Sequence, residues 1–187
     1  MQKSPIGCHF PKLRKAVSDM SKAILISIRK EHNKKIFDGT KHFEGRKTLP
    51  AIILLKNYID NTSTYKPSKS DVICYVYEPK AGGGCGKVVG QFVCDFAQSF
   101  RSSIASMAMV AKALCVTEDF TEQYFNREIG FMLRVCIPER YDKPKELSEF
   151  RSYNVTHYID DNGYSMPTHE IKRPPQSWCY VEERSRR

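Results

Sequence analysis

Apolar residues in this chain gather in short runs separated by polar and glycine-rich punctuation. From Lys22 the stretch KAILISIR is a continuous apolar run of strand length. RKEHNKKIFDG follows as a short helix with Ile36 and Phe37 turned inward, and Gly39 is placed to take the left-handed conformation just beyond its end. KHFEGRK then alternates like a strand, with positions 42, 44 and 46 on one face and 41, 43 and 45 on the other. DVICYVYEPK and KVVGQFVCDF read as two strands joined by AGGGCG, whose glycines allow positive φ in a tight connection. Ile104, Met107, Ala108, Ala111, Leu114 and Cys115 fall at helical spacing, and Thr117 can N-cap a further helix, TEDFTEQYF, with acids in its first turn. REIGFMLRVCIP reads as a strand ended by its proline. YDKPKELSEFR reads as a turn into a short helical piece, and SWCYVEE as the last strand before the basic tail RSRR.

Strands interrupted by helices, rather than alternating strictly with them, predict an α+β fold with a curled, barrel-like sheet in a single domain. Strands near 22–28, 72–78, 87–95, 129–136 and 178–182 are expected to form most of one sheet. Residues 1–19 read as a flexible basic leader, 20–183 as the domain and 184–187 as a basic tail; Pro50 to Ser70 is ambiguous between helix, strand and loop. The chain has 187 residues and a hydrophobic fraction of 41%, enough for a real core and against disorder. No run has the apolar length of a membrane helix, and the first twenty residues lack the apolar stretch of a signal peptide, so a cytoplasmic protein without membrane partners is expected. Its seven cysteines include no C-x-x-C pair, which favours reduced, buried thiols over zinc; neither a metal nor a cofactor is expected. A net charge of +9 points to a polyanionic partner.

Two stretches carry candidate chemistry. In IFDGTKHFEGRK, Glu44 and Arg46 share a strand face and can pair, either as a structural ion pair or as part of a pocket in which Lys41 and Arg46 meet a phosphate or base. Lys41 has the opposite strand parity, so it reaches the same pocket only from the turn after Gly39. In KRPPQSW, Lys172 and Arg173 can meet phosphates while Gln176 and Ser177 offer hydrogen bonds at a pocket rim; Trp178 reads as a core residue beyond a proline-fixed bend. His32, His42 and His169 are scattered among polar residues and read as surface groups. GGGCG lacks the following Lys-Ser or Lys-Thr of a phosphate loop.

The stretch KAILISIRKEHNKKIFDGTKHFEGRK resembles the start of an ASCH domain (activating signal cointegrator homology), within the PUA-like superfamily. Its G-x-K-x-x-E-x-R hallmark is met by Gly39, Lys41, Glu44 and Arg46, and DVICYVYEPK, KVVGQFVCDF, YDKPKELSEF and RPPQSWCYV follow in the family's order. The resemblance implies a PUA-like β-barrel flanked by helices, with the charged residues over a pocket. It implies nucleic-acid binding, most often of RNA, or in a subset hydrolysis: an amidohydrolase acting on N4-acylated cytidine, or a ribonuclease. That amidohydrolase subset uses a lysine, a threonine and a glutamate. Lys41 matches the lysine, Glu44 stands where the threonine is expected, and Glu118 and Glu122 are candidates for the third member. A glutamate there could serve as a base toward water or simply neutralise its cationic neighbours. Two readings follow: an RNA-binding module with a charged pocket, or a hydrolase working on RNA or a modified nucleoside through Lys41 and Glu44.

Overall fold

The computed structural model describes residues 23–53, 55–56, 71–101, 107–126, 129–153 and 168–183. The leader, most of the Pro50 to Ser70 stretch, Ile104 and the basic tail lie outside them. Strand β1 (Ala23–Ser27) is the apolar run recognised in sequence. It lies inside a sheet, antiparallel to β11 (Trp178–Glu183) on one side and parallel to β4 (Val72–Glu78) on the other. Both of its faces are covered, which is why it has no polar alternation. Ile24 and Ile26 enter a core with Val76, Phe92 and Leu133, while Ala23 and Leu25 join Tyr75, Phe150 and Val181 on the opposite face.

Helix α1 (Lys30–Phe37) leaves β1 and buries Ile36 and Asn33. Strand β2 (Phe43–Arg46) follows, and then β3 (Leu55–Lys56). β4 and β5 (Lys87–Cys94) pair antiparallel through the glycine loop, where Gly82, Gly83 and Gly86 have positive φ as the turn demands. β6 (Ala97–Arg101) leads toward α2 (Met107–Leu114) and α3 (Glu118–Phe125). The Thr117 side chain caps α3 by accepting from the Phe120 amide at 3.2 Å, and Asn126 closes its other end in the left-handed region. β7 (Ile129–Arg134), β8 (Cys136–Lys145), β9 (Phe150–Tyr153) and β10 (Thr168–Glu170) complete the strands, with a 3₁₀ turn at Leu147–Glu149.

The strands divide into a seven-stranded sheet, β10-β9-β11-β1-β4-β5-β8, and a four-stranded sheet, β2-β7-β6-β3. This corrects the expectation of one barrel-like sheet: among the described residues the two sheets do not close into a barrel, and residues 129–134 belong to the second sheet. The cause is a double bend. β5 passes into β6 at Asp95 and Phe96 while its partner chain passes from β7 into β8 at Val135, so one long antiparallel pair serves both sheets. The corner is pinned by the Asp95 carboxylate, which accepts from the Arg134 guanidinium (Nε to Oδ1 2.8 Å), and that guanidinium lies 4.5 Å from the Phe96 ring centre. Pro138 does not end a strand either. β8 runs from 136 to 145 through Pro138 and Pro144, and the stretch read as a turn is part of it; as the last strand of its sheet it can carry prolines on its open side.

Outside the second sheet, Phe100 and Met132 pack with Val110, Leu114 and Phe125 of the helices. Among the described residues no helix is long and apolar enough to cross a membrane. Of the cysteines, Cys74 and Cys94 are buried free thiols, Cys115, Cys136 and Cys179 are half-buried and Cys85 is exposed.

The close approach of β5 and β8 depends on Gly90. A Cβ there would meet the Glu139 carbonyl oxygen at 2.3 Å and the Phe37 ring at 2.6 Å. Gly90→Ala should therefore destabilise the fold by about 1–3 kcal/mol, since a carbonyl in a paired strand cannot yield cheaply. In thermal unfolding this corresponds to a fall of roughly 2–12 °C; an unchanged midpoint would refute the close approach.

Candidate functional site

The site is built on the turn between α1 and β2. Asp38 ends the helix and Gly39, at φ +79°, reverses the chain. The Lys41 amide then donates to the Lys35 carbonyl at 2.8 Å. Thr40 locks the same turn, its hydroxyl 2.7 Å from the Asp38 carboxylate and 3.2 Å from the Lys35 carbonyl. Lys41 thus lies in the turn and not in the strand, the placement its parity required. In β2, Glu44 and Arg46 share the buried face. Gly45 faces the other way, where a Cβ would strike Leu114 at 2.8 Å, so glycine lets α2 lie on the strand.

Lys41, Glu44 and Arg46 converge, and they are nearly buried at 4%, 6% and 6% exposure. The Lys41 ammonium is 2.7 Å from Glu44 Oε2 and the Arg46 guanidinium 3.0 Å from Oε1. The ammonium lies against Oε2 and acts on the acid both through its charge and as a hydrogen-bond donor. Arg46 also donates to the Ser27 carbonyl at 2.7 Å, tying β2 to the end of β1. Burial alone would push the Glu44 carboxyl up; Lys41 and Arg46 outweigh it and hold the acid below its ordinary value.

Three residues that sequence reasoning did not place in the site surround this cluster. His32, expected at the surface, is half-buried on α1, and burial followed by the Lys41 charge lowers its pKa. Its ring centre lies 5.9 Å from that of Phe120, which is stacked on Tyr124 at 5.7 Å and 6° between planes. The Tyr124 hydroxyl interacts with Arg46, burial raises its pKa, and the Lys47 ammonium sits 5.5 Å from its ring centre. Spacing offered a signal for all three: His32 lies four residues before the inward Ile36, and Phe120 and Tyr124 are four apart on α3. His42 and His169 are exposed, as read from sequence.

The second predicted stretch reaches the cluster through Ser27. The Ser27 amide donates to the Ser177 carbonyl at 3.0 Å and its hydroxyl to the Pro175 carbonyl at 2.6 Å. Ser27 therefore stands between Arg46 and loop 172–177. Lys172, Arg173 and Gln176 are exposed, and no hydrogen bond or ion pair among the described residues joins them to the triad. Trp178 packs against the core and donates from Nε1 to the Thr48 hydroxyl at 3.0 Å. Neither Thr40 nor Thr48 is thus presented to Lys41. Glu118 and Glu122 are exposed on α3. Among the described residues no group of three or more His, Cys, Asp or Glu side chains is placed to hold a metal ion.

Acid should weaken this cluster first. Glu44 has a depressed pKa when folded, so its contribution is complete above the unfolded carboxyl range of about 4.3 and is lost as pH falls through the folded value. His32, also depressed, gives the same sign below about 6.5, because the unfolded chain takes up its proton first. Urea unfolding should show stability falling from neutral pH downward. Glu44→Ala should cost about 3–5 kcal/mol at neutral pH by stranding two buried cations. Exchanging all three together (Lys41→Met, Glu44→Leu, Arg46→Met) should cost far less; comparable losses in both would show that the ion cluster is not what Glu44 serves.

No family model and no curated relative matches the sequence with significance. Solved structures do match the fold. The ASCH protein from Zymomonas mobilis superposes with a TM-score of 0.55 at 15% identity, over 86% of this chain and 88% of that one. Two single-substitution mutants of it superpose with a TM-score of 0.53 at 15% identity, over 86% of this chain and 89% or 91% of theirs. The likeness is one of fold: this chain has the fold of an ASCH domain.

Proposed function

We propose that this protein is an RNA-binding domain, with the Lys41–Glu44–Arg46 cluster as its ligand pocket and loop 172–177 at the rim. The observation that carries the reading is the double engagement of Glu44. A carboxylate between two cations, with its pKa lowered, is a weak proton acceptor, whereas it is well suited to hold Lys41 and Arg46 in fixed positions. Neither Thr40 nor Thr48 is offered as a nucleophile, since Thr40 is bound into its turn and Thr48 accepts from Trp178. Exposed Lys172 and Arg173, together with the net charge of +9, supply the attraction for phosphate.

The expected behaviour is binding of single-stranded or structured RNA that weakens steeply with salt, measured by fluorescence anisotropy at two salt concentrations. Lys172→Ala and Arg173→Ala should each lower affinity similarly across sequences and reduce the salt slope by about one. Absence of binding even at low salt would refute the proposal.

The hydrolase reading, for an N4-acylated cytidine or for RNA, makes Glu44 the base that activates water, with Lys41 steadying the developing negative charge. Little or no acetate release from N4-acetylcytidine is expected. Turnover abolished by Glu44→Gln and by Lys41→Ala would replace the binding reading with the enzymatic one. Turnover that survives Glu44→Gln but is lost in Thr40→Ala would mark Thr40 as the nucleophile.

A further inference from the structure

The contacts around the triad close into a ring. Lys41 meets Glu44 at 2.7 Å and Glu44 meets Arg46 at 3.0 Å; Arg46 interacts with Tyr124, Tyr124 stacks on Phe120, and Phe120 touches His32. His32 completes the circuit through its electrostatic coupling to Lys41 and Glu44. Glu44 Oε2 meets the Lys41 ammonium; two further polar atoms on this ring are buried and have no hydrogen-bond partner, Nε of Arg46, a residue with 6% exposure, and Nδ1 of His32. A buried donor or acceptor left unpaired costs about 1–3 kcal/mol, and such atoms call for a partner, either a water or a bound group.

Their polarities differ. Arg46 Nε–H can only donate. His32 Nε2 lies 3.5 Å from the Glu31 carboxylate, a contact that favours the tautomer with the proton on Nε2 and an accepting Nδ1. A phosphate would suit Arg46 but offers nothing to a neutral Nδ1. The stacked pair of Phe120 and Tyr124 adds a flat apolar surface, and Phe120 is 41% exposed.

We infer that His32 is the specificity-determining acceptor of the site, and that the ring takes an unpaired nucleobase by its edge: a ring N–H or amino group of the base donates to His32 Nδ1, a neighbouring carbonyl or ring nitrogen accepts from Arg46 Nε, and the base lies against the Phe120–Tyr124 surface. Every standard base carries a donor beside an acceptor on its pairing edge, and base–aromatic stacking is tolerant of sequence. The inference rests on the RNA-binding reading and adds a chemical rule to it, selection for bases over bare phosphate backbone. It also adds a dependence on protons. A protonated His32 has no lone pair to accept with, and the groups that set its charge are Glu31 and Lys35 on its own helix and Lys41 and Glu44 facing it. Burial and Lys41 keep it neutral near pH 7 and let it charge only in more acid solution.

The test compares a labelled oligouridine, whose bases do not titrate between neutral and mildly acid pH, with an abasic strand of the same length. Anisotropy is measured at fixed salt from about pH 7.5 down to about pH 4.5, across the range in which a histidine takes up its proton. At the upper pH the wild-type protein should bind the uridine strand about tenfold more tightly than the abasic one, a factor within the reach of one stacked base. That ratio should fall toward one as pH is lowered, and His32→Ala should bring it close to one at the upper pH. Circular dichroism reports folding throughout, and if His32→Ala does not fold, the pH series of the wild-type protein decides. Equal affinity for the two strands would overturn the base site and leave the RNA-binding reading standing; no affinity for either would overturn both. A preference for uridine that ignores both pH and His32→Ala would remove His32 from the assignment.

Discussion

One carboxylate organises the turn and strand on which the site is built. Glu44 lies with a cation at each oxygen, all three groups withdrawn from water, and neither cation would tolerate that position alone. Holding them together constrains the surrounding chain. Lys41 must leave the strand, which requires the reversal at Gly39 and the hydrogen-bonded turn of Asp38 and Thr40. Arg46 must reach the Ser27 carbonyl, which fixes β2 against the end of β1 and, through Ser27, against loop 172–177. A cluster of this kind often contributes little more to stability than apolar residues of the same volume would, so stability alone does not explain it.

The second constraint is the bend shared by β5–β6 and β7–β8. By carrying one antiparallel pair across two sheets it leaves β2 against β7, facing the core that lies beneath β1 and β4. The Asp95–Arg134 pair holds that corner from outside the core. The glycines at 45, 90 and 130 mark places where a helix, a strand or an aromatic ring comes too close for a side chain. The helices of the second sheet follow from the first of these: with Gly45 beneath Leu114, α2 and α3 approach β2 closely enough for Tyr124 to interact with Arg46.

Features set by neighbouring residues were legible in the sequence. The β1 run, the Gly39 reversal, the Thr117 cap, the glycine loop and the shared face of Glu44 and Arg46 each depend on a few adjacent positions, and each is found where the pattern put it. Features set by distant contacts were not. Nothing in REIGFMLR says that it pairs with β2 and β6 instead of continuing the first sheet, because that choice is made at Asp95, thirty-odd residues earlier, in partnership with Arg134. Pro138 was read as a stop because a proline interrupts a ladder, yet β8 needs hydrogen bonds on one side only. His32 was hidden by composition: in KEHNKKIF the inward positions include a histidine and an asparagine, so the helix reads as polar although Asn33 is fully buried against Glu78.

The charge of the site differs in kind from the charge of the chain. Lys41, Glu44 and Arg46 sum to a single positive charge behind very little exposed surface, while the whole sequence carries +9. Attraction for a polyanion therefore belongs mainly to the exposed lysines and arginines, where solvent screens it and salt weakens it. What the buried cluster adds is direction. Its donors are held in place before a ligand arrives, and an acceptor that meets them gives up fewer competing water contacts than one at the open surface. Long-range attraction with little preference, followed by short-range selection at a rigid site, is the division of labour this arrangement favours. Under the RNA-binding reading, the carboxylate of Glu44 serves to hold two donors still.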